Sequence, residues 1–93
     1  MFKETKSKVI NCLRTGLFQH EARNLINEKN LLKTGEVSVD TVIKLISKTK
    51  GFQYIKEEHH MIKGVDIHIF KIEGWYIKFY FVDPNTMFIS VHE

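Results

Sequence analysis

The sequence predicts an α+β fold in which N-terminal helices pack on one face of a four-stranded antiparallel β-meander. Apolar residues recur at spacings of three and four in the first half of the chain, and the spacing becomes two after Gly51. Three short loops divide the second half into segments of strand length. With 93 residues, of which 43% are hydrophobic and 27% charged, the chain is expected to form one domain over 1–93. Its helical part is expected at about 1–50 and its sheet at about 52–92.

Three helices are predicted in the first half, over about 4–15, 18–29 and 38–50. The first should end near Gly16, and a loop at about 29–36 should follow the second. Ser38 is a good N-cap for the third helix, because its hydroxyl can accept a backbone N–H from the first turn. Gly51 is expected to end that helix.

Four strands are predicted in the second half, over about 52–61, 65–71, 75–82 and 86–92. Each of the loops between them has three residues and ends in a residue that tolerates a positive φ, as Gly74 does. A two-residue turn at Glu73 and Gly74 would place His68 beside Ile77, so the pattern favours the three-residue loop. The resulting register gives an apolar face that should pack on the helices, with Val65, Ile67, Ile69, Trp75, Ile77, Phe79, Phe81, Met87, Ile89 and Val91.

The opposite face of the predicted sheet collects polar and aromatic side chains. Three rows cross the strands: Glu58, His68, Lys78 and Ser90; Lys56, Phe70, Tyr76 and His92; and His60, Asp66, Tyr80 and Phe88. Neighbours in such a row are close enough to touch. This face is the best candidate for a functional site, although one face of an antiparallel sheet is often simply solvated.

The composition of this face suits the cleavage of RNA through its own 2′-hydroxyl, a reaction that needs no metal or cofactor. It needs a base for the 2′ proton, an acid for the leaving 5′ oxygen, and cations for the developing phosphorane charge. The candidate catalytic residues are Lys56, Glu58, His68, Tyr76, Lys78 and His92. Glu58 would orient His68 as the base, and His92 would be the acid. Unpaired bases can stack on exposed rings, and the candidate RNA-binding residues are Tyr54, His60, Phe70, Tyr80 and Ser90.

Charge and cysteine content narrow the classes of function. The net charge is +3, and residues 1–50 hold ten Lys/Arg against five Asp/Glu, a basic excess that suits a polyanion such as RNA. Cys12 is the single cysteine, which excludes a disulfide scaffold and a zinc finger. No apolar stretch approaches the ~20 residues of a membrane span, and the N-terminus lacks the apolar core of a signal peptide. A cytoplasmic protein without a membrane partner is therefore expected.

The predicted strands of the second half contain four short sequence motifs. They are Tyr54-Ile55-Lys56, Asp66-Ile67-His68, Tyr76-Ile77-Lys78 and Ser90-Val91-His92. Their order resembles that of the MqsR family of bacterial toxins, which belong to the RelE-like superfamily of mRNA interferases. The resemblance implies a RelE-like fold, endoribonuclease activity on mRNA, and silencing by a cognate antitoxin. It also implies catalytic roles for Lys56 and Tyr76, and it places His92 where the family has a terminal lysine.

Two classes of function remain open at this point. The first is a small metal-independent endoribonuclease, the toxin of a type II toxin–antitoxin pair. The second is a non-catalytic RNA- or protein-binding module, such as a phage or plasmid inhibitor of a host nuclease. A gene neighbour that encodes a small DNA-binding protein would favour the first class. The sequence leaves the base specificity and the oligomeric state open.

Overall fold

The computed structural model describes residues 2–21 and 30–93. Its helices are α1 (Phe2–Thr15), α2 (Leu31–Thr34) and α3 (Val39–Lys48). Its strands are β1 (Phe18–His20), β2 (Tyr54–Glu58), β3 (Asp66–Ile72), β4 (Trp75–Val82) and β5 (Asn85–His92), and a 3₁₀ turn at Gly51–Gln53 precedes β2. The strands form a single sheet in the order β1-β5-β4-β3-β2. The predicted α+β class with N-terminal helices is confirmed, but the sheet has five strands and is mixed, not four and antiparallel.

The additional strand, β1, replaces the start of the predicted second helix over 18–29. It pairs in parallel with β5, so that Phe18 lies opposite Thr86. Hydrogen bonds continue the pairing at both ends, from the Thr86 N–H to the Leu17 carbonyl (3.0 Å) and from the Glu21 N–H to the Phe88 carbonyl (2.9 Å). The rest of that predicted helix, 22–29, lies outside the described residues.

The two longer helices confirm the first and third helical predictions, but α3 ends at Lys48, with Thr49 as its C-cap, and not at Gly51. In α3, the Ser38 hydroxyl accepts the N–H of Thr41 at 3.1 Å, which is the predicted N-cap. Val42 and Ile46 of α3 are fully buried, as is Val9 of α1. Within residues 2–21 and 30–93, no helix has the length and apolar character needed to cross a bilayer.

Both faces of the sheet carry a cluster of buried apolar side chains. The helix-side face packs on α1 and α3 through Phe70, Ile72, Ile77, Phe79, Phe88 and Val91. The other face, which we call the far face, carries a second buried cluster of Ile67, Ile69, Tyr80 and Ile89. Half-buried Val65, Tyr76 and Met87 pack against that second cluster.

The register between β3 and β4 differs from the prediction by one residue. Ile72 lies opposite Trp75, so the connection is the two-residue turn at Glu73 and Gly74 that the pattern disfavoured. Both turn residues have a positive φ (51° and 83°), the geometry that matches the twist of a tight hairpin. A one-residue change turns every side chain of a strand to the other face. Phe70 therefore packs under the helices, while Ile67 and Ile69, predicted there, lie on the far face.

Two smaller register differences affect the outer strands. In the first hairpin Glu58 lies opposite Asp66 instead of His68, a shift of two residues. Because a two-residue shift keeps side-chain parity, the residues of β2 that were predicted to share a face with His68 still share it. The last hairpin follows the predicted pairing from Tyr76 to Lys78, and a bulge then shifts it by one residue. Because of this bulge, Phe88 lies in the helix-side core, whereas the predicted core residues Met87 and Ile89 lie on the far face.

Candidate functional site

The structure divides the predicted catalytic residues between the two faces of the sheet. His68 and Lys56 are direct neighbours on the helix-side face, since they pair across β2 and β3. Glu58 shares that face but lies opposite Asp66 instead of His68. The predicted rows that joined these residues to β4 and β5 are therefore wrong.

The other predicted catalytic residues lie together on the far face: Tyr76, Lys78 and His92. Tyr76 lies opposite His92 and Lys78 opposite Ser90, as the last hairpin was predicted to pair. The β2–β3 hairpin thus brings together one part of the predicted catalytic set, and the β4–β5 hairpin brings together the other part. The inverted register of β3 against β4 separates the two parts by the thickness of the sheet.

Several of the residues predicted to bind RNA are buried, although the prediction placed them on a solvent-exposed face. Phe70 has no exposed surface, and Tyr80 and Ser90 are 5% and 7% exposed, so the expectation of an open aromatic face is wrong for these residues. His60 is exposed in the loop between β2 and β3. Tyr54 is half-buried and lies beside His68.

The closest polar contact of the helix-side set joins Tyr54 to His68. The Tyr54 hydroxyl lies 2.7 Å from Nδ1 of His68, and the two rings stack with their centroids 5.8 Å apart and their planes 14° apart. Thr5 of α1 also hydrogen-bonds the Tyr54 hydroxyl. A hydroxyl can both donate and accept, so Tyr54 can hold the imidazole in either neutral tautomer. In the tautomer that donates Nδ1–H to the Tyr54 oxygen, Nε2 is the ring nitrogen that can accept a proton.

A small cavity borders the His68 ring. Its volume is about 200 Å³, and its lining residues are Gly64, Val65, Asp66, His68 and Phe81. This is below the ~300–1,000 Å³ typical of drug-sized ligand pockets. A phosphodiester group is a better match in size than a whole nucleotide.

Two lysines contact residues that line this cavity. Nζ of Lys56 is 3.9 Å from a carboxylate oxygen of Asp66. Nζ of Lys8, from α1, lies 4.4 Å from the Phe81 ring centroid and 2.6 Å from a carboxylate oxygen of Asp83. The cavity therefore has an imidazole and a carboxylate in its wall, and two ammonium groups contact residues of that wall.

Burial sets the protonation states of the His68–Tyr54 pair. Desolvation lowers the pKa of His68 below its ordinary value, and Lys56 and Lys8 add to this effect while Asp66 opposes it. Desolvation also raises the pKa of the Tyr54 hydroxyl. At neutral pH, His68 is therefore an uncharged base and Tyr54 a neutral hydrogen-bond partner.

The far face holds the second polar cluster. The rings of Tyr76 and His92 stack with centroids 5.2 Å apart and planes at 28°. Nζ of Lys71 lies 5.9 Å from the Tyr76 ring centroid, and Nζ of Lys78 lies 3.8 Å from a carboxylate oxygen of Glu57. Burial raises the pKa of Tyr76, and Glu57 adds to this effect. These contacts make a stacking surface with cations beside it.

Sequence reasoning missed the contribution of α1 to the site. Lys8 is not among the candidate site residues of the sequence, because periodicity cannot show which distant strand a helix will meet. Phe81 was assigned to the core, and it does pack against the core while one edge borders the cavity. In the described part of the chain, no three His, Cys, Asp or Glu side chains are grouped so that they could hold a metal ion.

The chain was compared with models of protein families, with curated proteins and with solved structures. None of the three comparisons gave a match.

Proposed function

We propose that this protein is a metal-independent endoribonuclease that cleaves RNA at the cavity beside His68. The observation that carries the proposal is the buried His68 ring, which lies 2.7 Å from the Tyr54 hydroxyl on the wall of a cavity whose lining residues Asp66 and Phe81 each contact a lysine. A histidine whose pKa is below neutrality is deprotonated at pH 7 and can accept a proton. Neighbouring cations stabilise the charge that develops on a phosphorane.

The proposed reaction uses the 2′-hydroxyl of the RNA as the nucleophile. His68 removes the 2′ proton through Nε2, while Nδ1–H donates to the Tyr54 oxygen. The 2′ oxygen bonds to phosphorus, the bond from phosphorus to the 5′ oxygen breaks, and the Lys56 ammonium protonates that leaving oxygen. Lys8 contributes positive charge beside the phosphate. Tyr54 takes the orienting role that the sequence assigned to Glu58.

The biological setting of the proposal comes from the resemblance to MqsR-type toxins. On that basis we propose mRNA as the substrate, a cognate antitoxin as the partner and the cytoplasm as the location. Arrest of bacterial growth on induced expression, relieved by co-expression of a neighbouring gene, would support this setting. Unimpaired growth with abundant protein would contradict it without affecting the chemistry.

The chemistry is tested by cleavage of an end-labelled single-stranded RNA in EDTA. We expect the parent protein to cleave it, and His68→Gln to be slower by ~10²- to 10⁴-fold, the usual contribution of one proton-transfer group. Tyr54→Phe and Lys56→Ala should also be slower. Lys3→Ala, which removes an exposed lysine on α1, should keep the parent rate.

Each variant is to be checked for its fold by circular dichroism before its rate is compared. RNA bound by the parent protein but never cleaved would overturn the nuclease proposal and favour the non-catalytic binding module. An unchanged rate in His68→Gln would remove His68 from the mechanism.

A further inference from the structure

Exposed apolar side chains are concentrated around β2, a strand at the edge of the sheet. Six large hydrophobic side chains of the described residues are exposed, and four of them lie between positions 52 and 62: Phe52 (86%), Ile55, Met61 (87%) and Ile62. Within residues 2–21 and 30–93, β2 pairs with β3 and with no second strand. Such an edge is a template for pairing with another chain. We call β2 together with Phe52, Met61 and Ile62 the β2 edge.

The loop that carries Met61 and Ile62 is anchored from below. Nδ1 of His59 accepts the backbone N–H groups of Met61 (3.0 Å) and Ile62 (3.2 Å). His59 is itself buried, and its ring lies against Tyr80 with centroids 4.9 Å apart. The loop therefore presents its two apolar side chains to solvent from a fixed backbone, which lowers the entropic cost of a contact with a partner.

The free edge of β2 offers backbone hydrogen-bonding groups at Lys56 and Glu58. The His59 N–H donates to the carbonyl of Val65, the residue opposite it, at 2.9 Å. In an antiparallel pair, the residues that bond to the neighbouring strand alternate with residues that point away from it. Counting back from His59, Lys56 and Glu58 therefore direct their N–H and C=O groups away from β3. These are the groups that an added strand would bond.

The side chains of these two residues are complementary in charge. Lys56 and Glu58 share the helix-side face, and Glu58 lies opposite Asp66, so that two carboxylates are neighbours there. When two copies of β2 pair antiparallel, Lys56 can lie opposite Glu58 of the partner subunit, and a two-fold axis repeats the contact. Each copy then places an ammonium beside the two carboxylates of the other copy, an arrangement that stabilises a sheet.

We propose that β2 pairs antiparallel with β2 of a second copy of this chain, so that Lys56 of each copy lies opposite Glu58 of the partner subunit. The pairing joins the two sheets into one, with backbone hydrogen bonds at both Lys56–Glu58 pairs. Its two-fold axis passes between the two copies of Glu57. The interface goes beyond the proposed function and requires no cleavage of RNA.

The apolar residues of the β2 edge fit the same register. Phe52 and Ile62 are equally far along the chain from Glu57, so the pairing sets Phe52 level with Ile62 of the partner subunit. Met61 of the partner subunit lies next to that contact. Each end of the interface thus removes apolar surface from water, which favours association.

The neighbouring registers lack this agreement of charge. An axis at Lys56 would set the two Lys56 ammonium groups opposite each other, and it would pair Glu58 with Tyr54, whose N–H already donates to the Gly51 carbonyl. An axis at Glu58 would set the two Glu58 carboxylates opposite each other. Like charges directly opposite destabilise a sheet.

The proposed register has one unfavourable contact, between the two Glu57 carboxylates on the far face. Nζ of Lys78 lies 3.8 Å from a carboxylate oxygen of Glu57 in each copy and offsets part of this repulsion. We expect Glu57→Gln to strengthen the dimer by roughly two- to fivefold.

A cysteine at the axis tests the register directly. Residues at the axis form a non-hydrogen-bonded pair with Cα atoms ~4.5 Å apart, within the range of a disulfide. The native Cys12 is buried, so oxidation of Glu57→Cys should give a disulfide-linked dimer. Ile55→Cys is the matched control on the same face of β2, because its two copies would lie about 13 Å apart. It should crosslink at least ~tenfold more slowly.

Sedimentation measures the affinity and the role of charge. The parent protein should show a monomer–dimer equilibrium between about 1 μM and about 1 mM, a range that brackets small interfaces. Lys56→Glu and Glu58→Lys should each weaken the dimer about tenfold, because two contacts become repulsive. The double exchange should restore the parent affinity, which a general loss of fold would not allow.

The apolar contribution is tested in the same way. Phe52→Ser should weaken the dimer about tenfold, since both of its copies lose their contact. Val82→Ser is the matched control, because Val82 is an exposed apolar residue of β4 outside the β2 edge. It should leave the affinity unchanged.

A chain that stays monomeric at about 1 mM, or equal crosslinking of the two cysteine variants, would overturn the proposal. So would a double exchange that fails to restore the dimer. Protection of the β2 amides only when a different protein chain is bound would assign the β2 edge to that protein and overturn self-pairing. A dimer that cleaves no RNA would leave the interface standing and remove only the proposed nuclease.

Discussion

His68 lies at the edge of the helix-side core, where its ring contacts Phe79 and Phe81 at centroid distances of 5.5 and 5.2 Å. It is 7% exposed, and Tyr54 is its hydrogen-bond partner. Placing an imidazole among aromatic rings favours its uncharged form, because the charged form loses its hydration. The same burial that makes His68 a base at neutral pH therefore links its protonation to the stability of the fold.

This linkage predicts a pH dependence of unfolding. The pKa of His68 is lower in the folded chain than the ~6.5 expected for an unfolded histidine, so its contribution to stability is present above about pH 6.5 and is lost as the pH falls through the folded pKa. Burial lowers the pKa of His20 in the same direction. Urea unfolding from about pH 7.5 down to about pH 5 should thus show a falling free energy of unfolding.

The variant His68→Gln isolates the contribution of this ring. Its free energy of unfolding should fall less steeply over the same range, and His20 should contribute to the slope that remains. A variant with the slope of the parent protein would show that His68 does not titrate below the unfolded value.

At the scale of single elements, sequence patterns located most helices and strands. Ser38 was predicted to cap α3, and the cap forms because a hydroxyl next to the first turn needs only local geometry. The three-residue strand β1 was interpreted as helix, because its pairing with β5 depends on residues almost seventy positions away. Local periodicity carries no information on such a contact.

The register of β3 could not be predicted, because that strand carries apolar side chains on both of its faces. Ile67 and Ile69 occupy one face, and Phe70 and Ile72 the other. Hydrophobic pattern fixes register only where one face is polar. The geometry of the turn, in which two consecutive residues adopt positive φ, sets the register instead.

The predicted polar face combined two groups of residues that the structure places on opposite faces of the sheet. Lys56 shares a face with His68, and Tyr76 shares a face with His92, as their hairpins required. The inverted register of β3 against β4 puts the two pairs on opposite faces. The position of Lys8 beside Phe81 was not predictable, since it depends on how α1 packs across the sheet.

The importance of the turn is tested with Gly74→Ala. Gly74 has a φ of 83°, and a Cβ there would meet no atom within 4 Å, so the cost is that of the backbone conformation alone. We expect the free energy of unfolding to fall by about 1–2 kcal/mol. Chemical denaturation of the variant and the parent protein provides the measurement.

Gly51→Ala is the matched control for this prediction. Gly51 does not have a positive φ, and its added Cβ would make an ordinary contact of 3.9 Å with the Phe2 ring. It should change stability much less than Gly74→Ala. Equal losses in the two variants would contradict the role given to the turn.

At the scale of the whole molecule, each face of the sheet contains a buried cluster. The helix-side cluster joins α1 and α3 to the sheet, and the far-face cluster adds Tyr80 and Ile89 among others. A chain of this length has a small hydrophobic core, because small domains bury a smaller fraction of their surface on folding. Each cluster should therefore contribute measurably to stability.

Two truncations test this two-sided core. Phe70→Ala, on the helix-side face, should cost about 3–5 kcal/mol and Ile67→Ala, on the far face, about 2–5 kcal/mol. Both side chains are almost fully buried, at 0% and 1% exposed. Ile55→Ala, at a position 42% exposed on the far face of β2, should cost much less. A loss for Ile67→Ala as small as that for Ile55→Ala would show that the far face is not a core.

The measurement that tests the central proposal most directly is the chemistry of the ends that the protein leaves on RNA. A single-stranded RNA would be digested in EDTA, and the fragments would be analysed by mass spectrometry beside an oligonucleotide of the same sequence with 2′-deoxy sugars. The account predicts 2′,3′-cyclic phosphate and 5′-hydroxyl ends, an intact deoxy oligonucleotide, and loss of the products in His68→Gln. Fragments with 3′-hydroxyl and 5′-phosphate ends, or cleavage of the deoxy oligonucleotide, would contradict it.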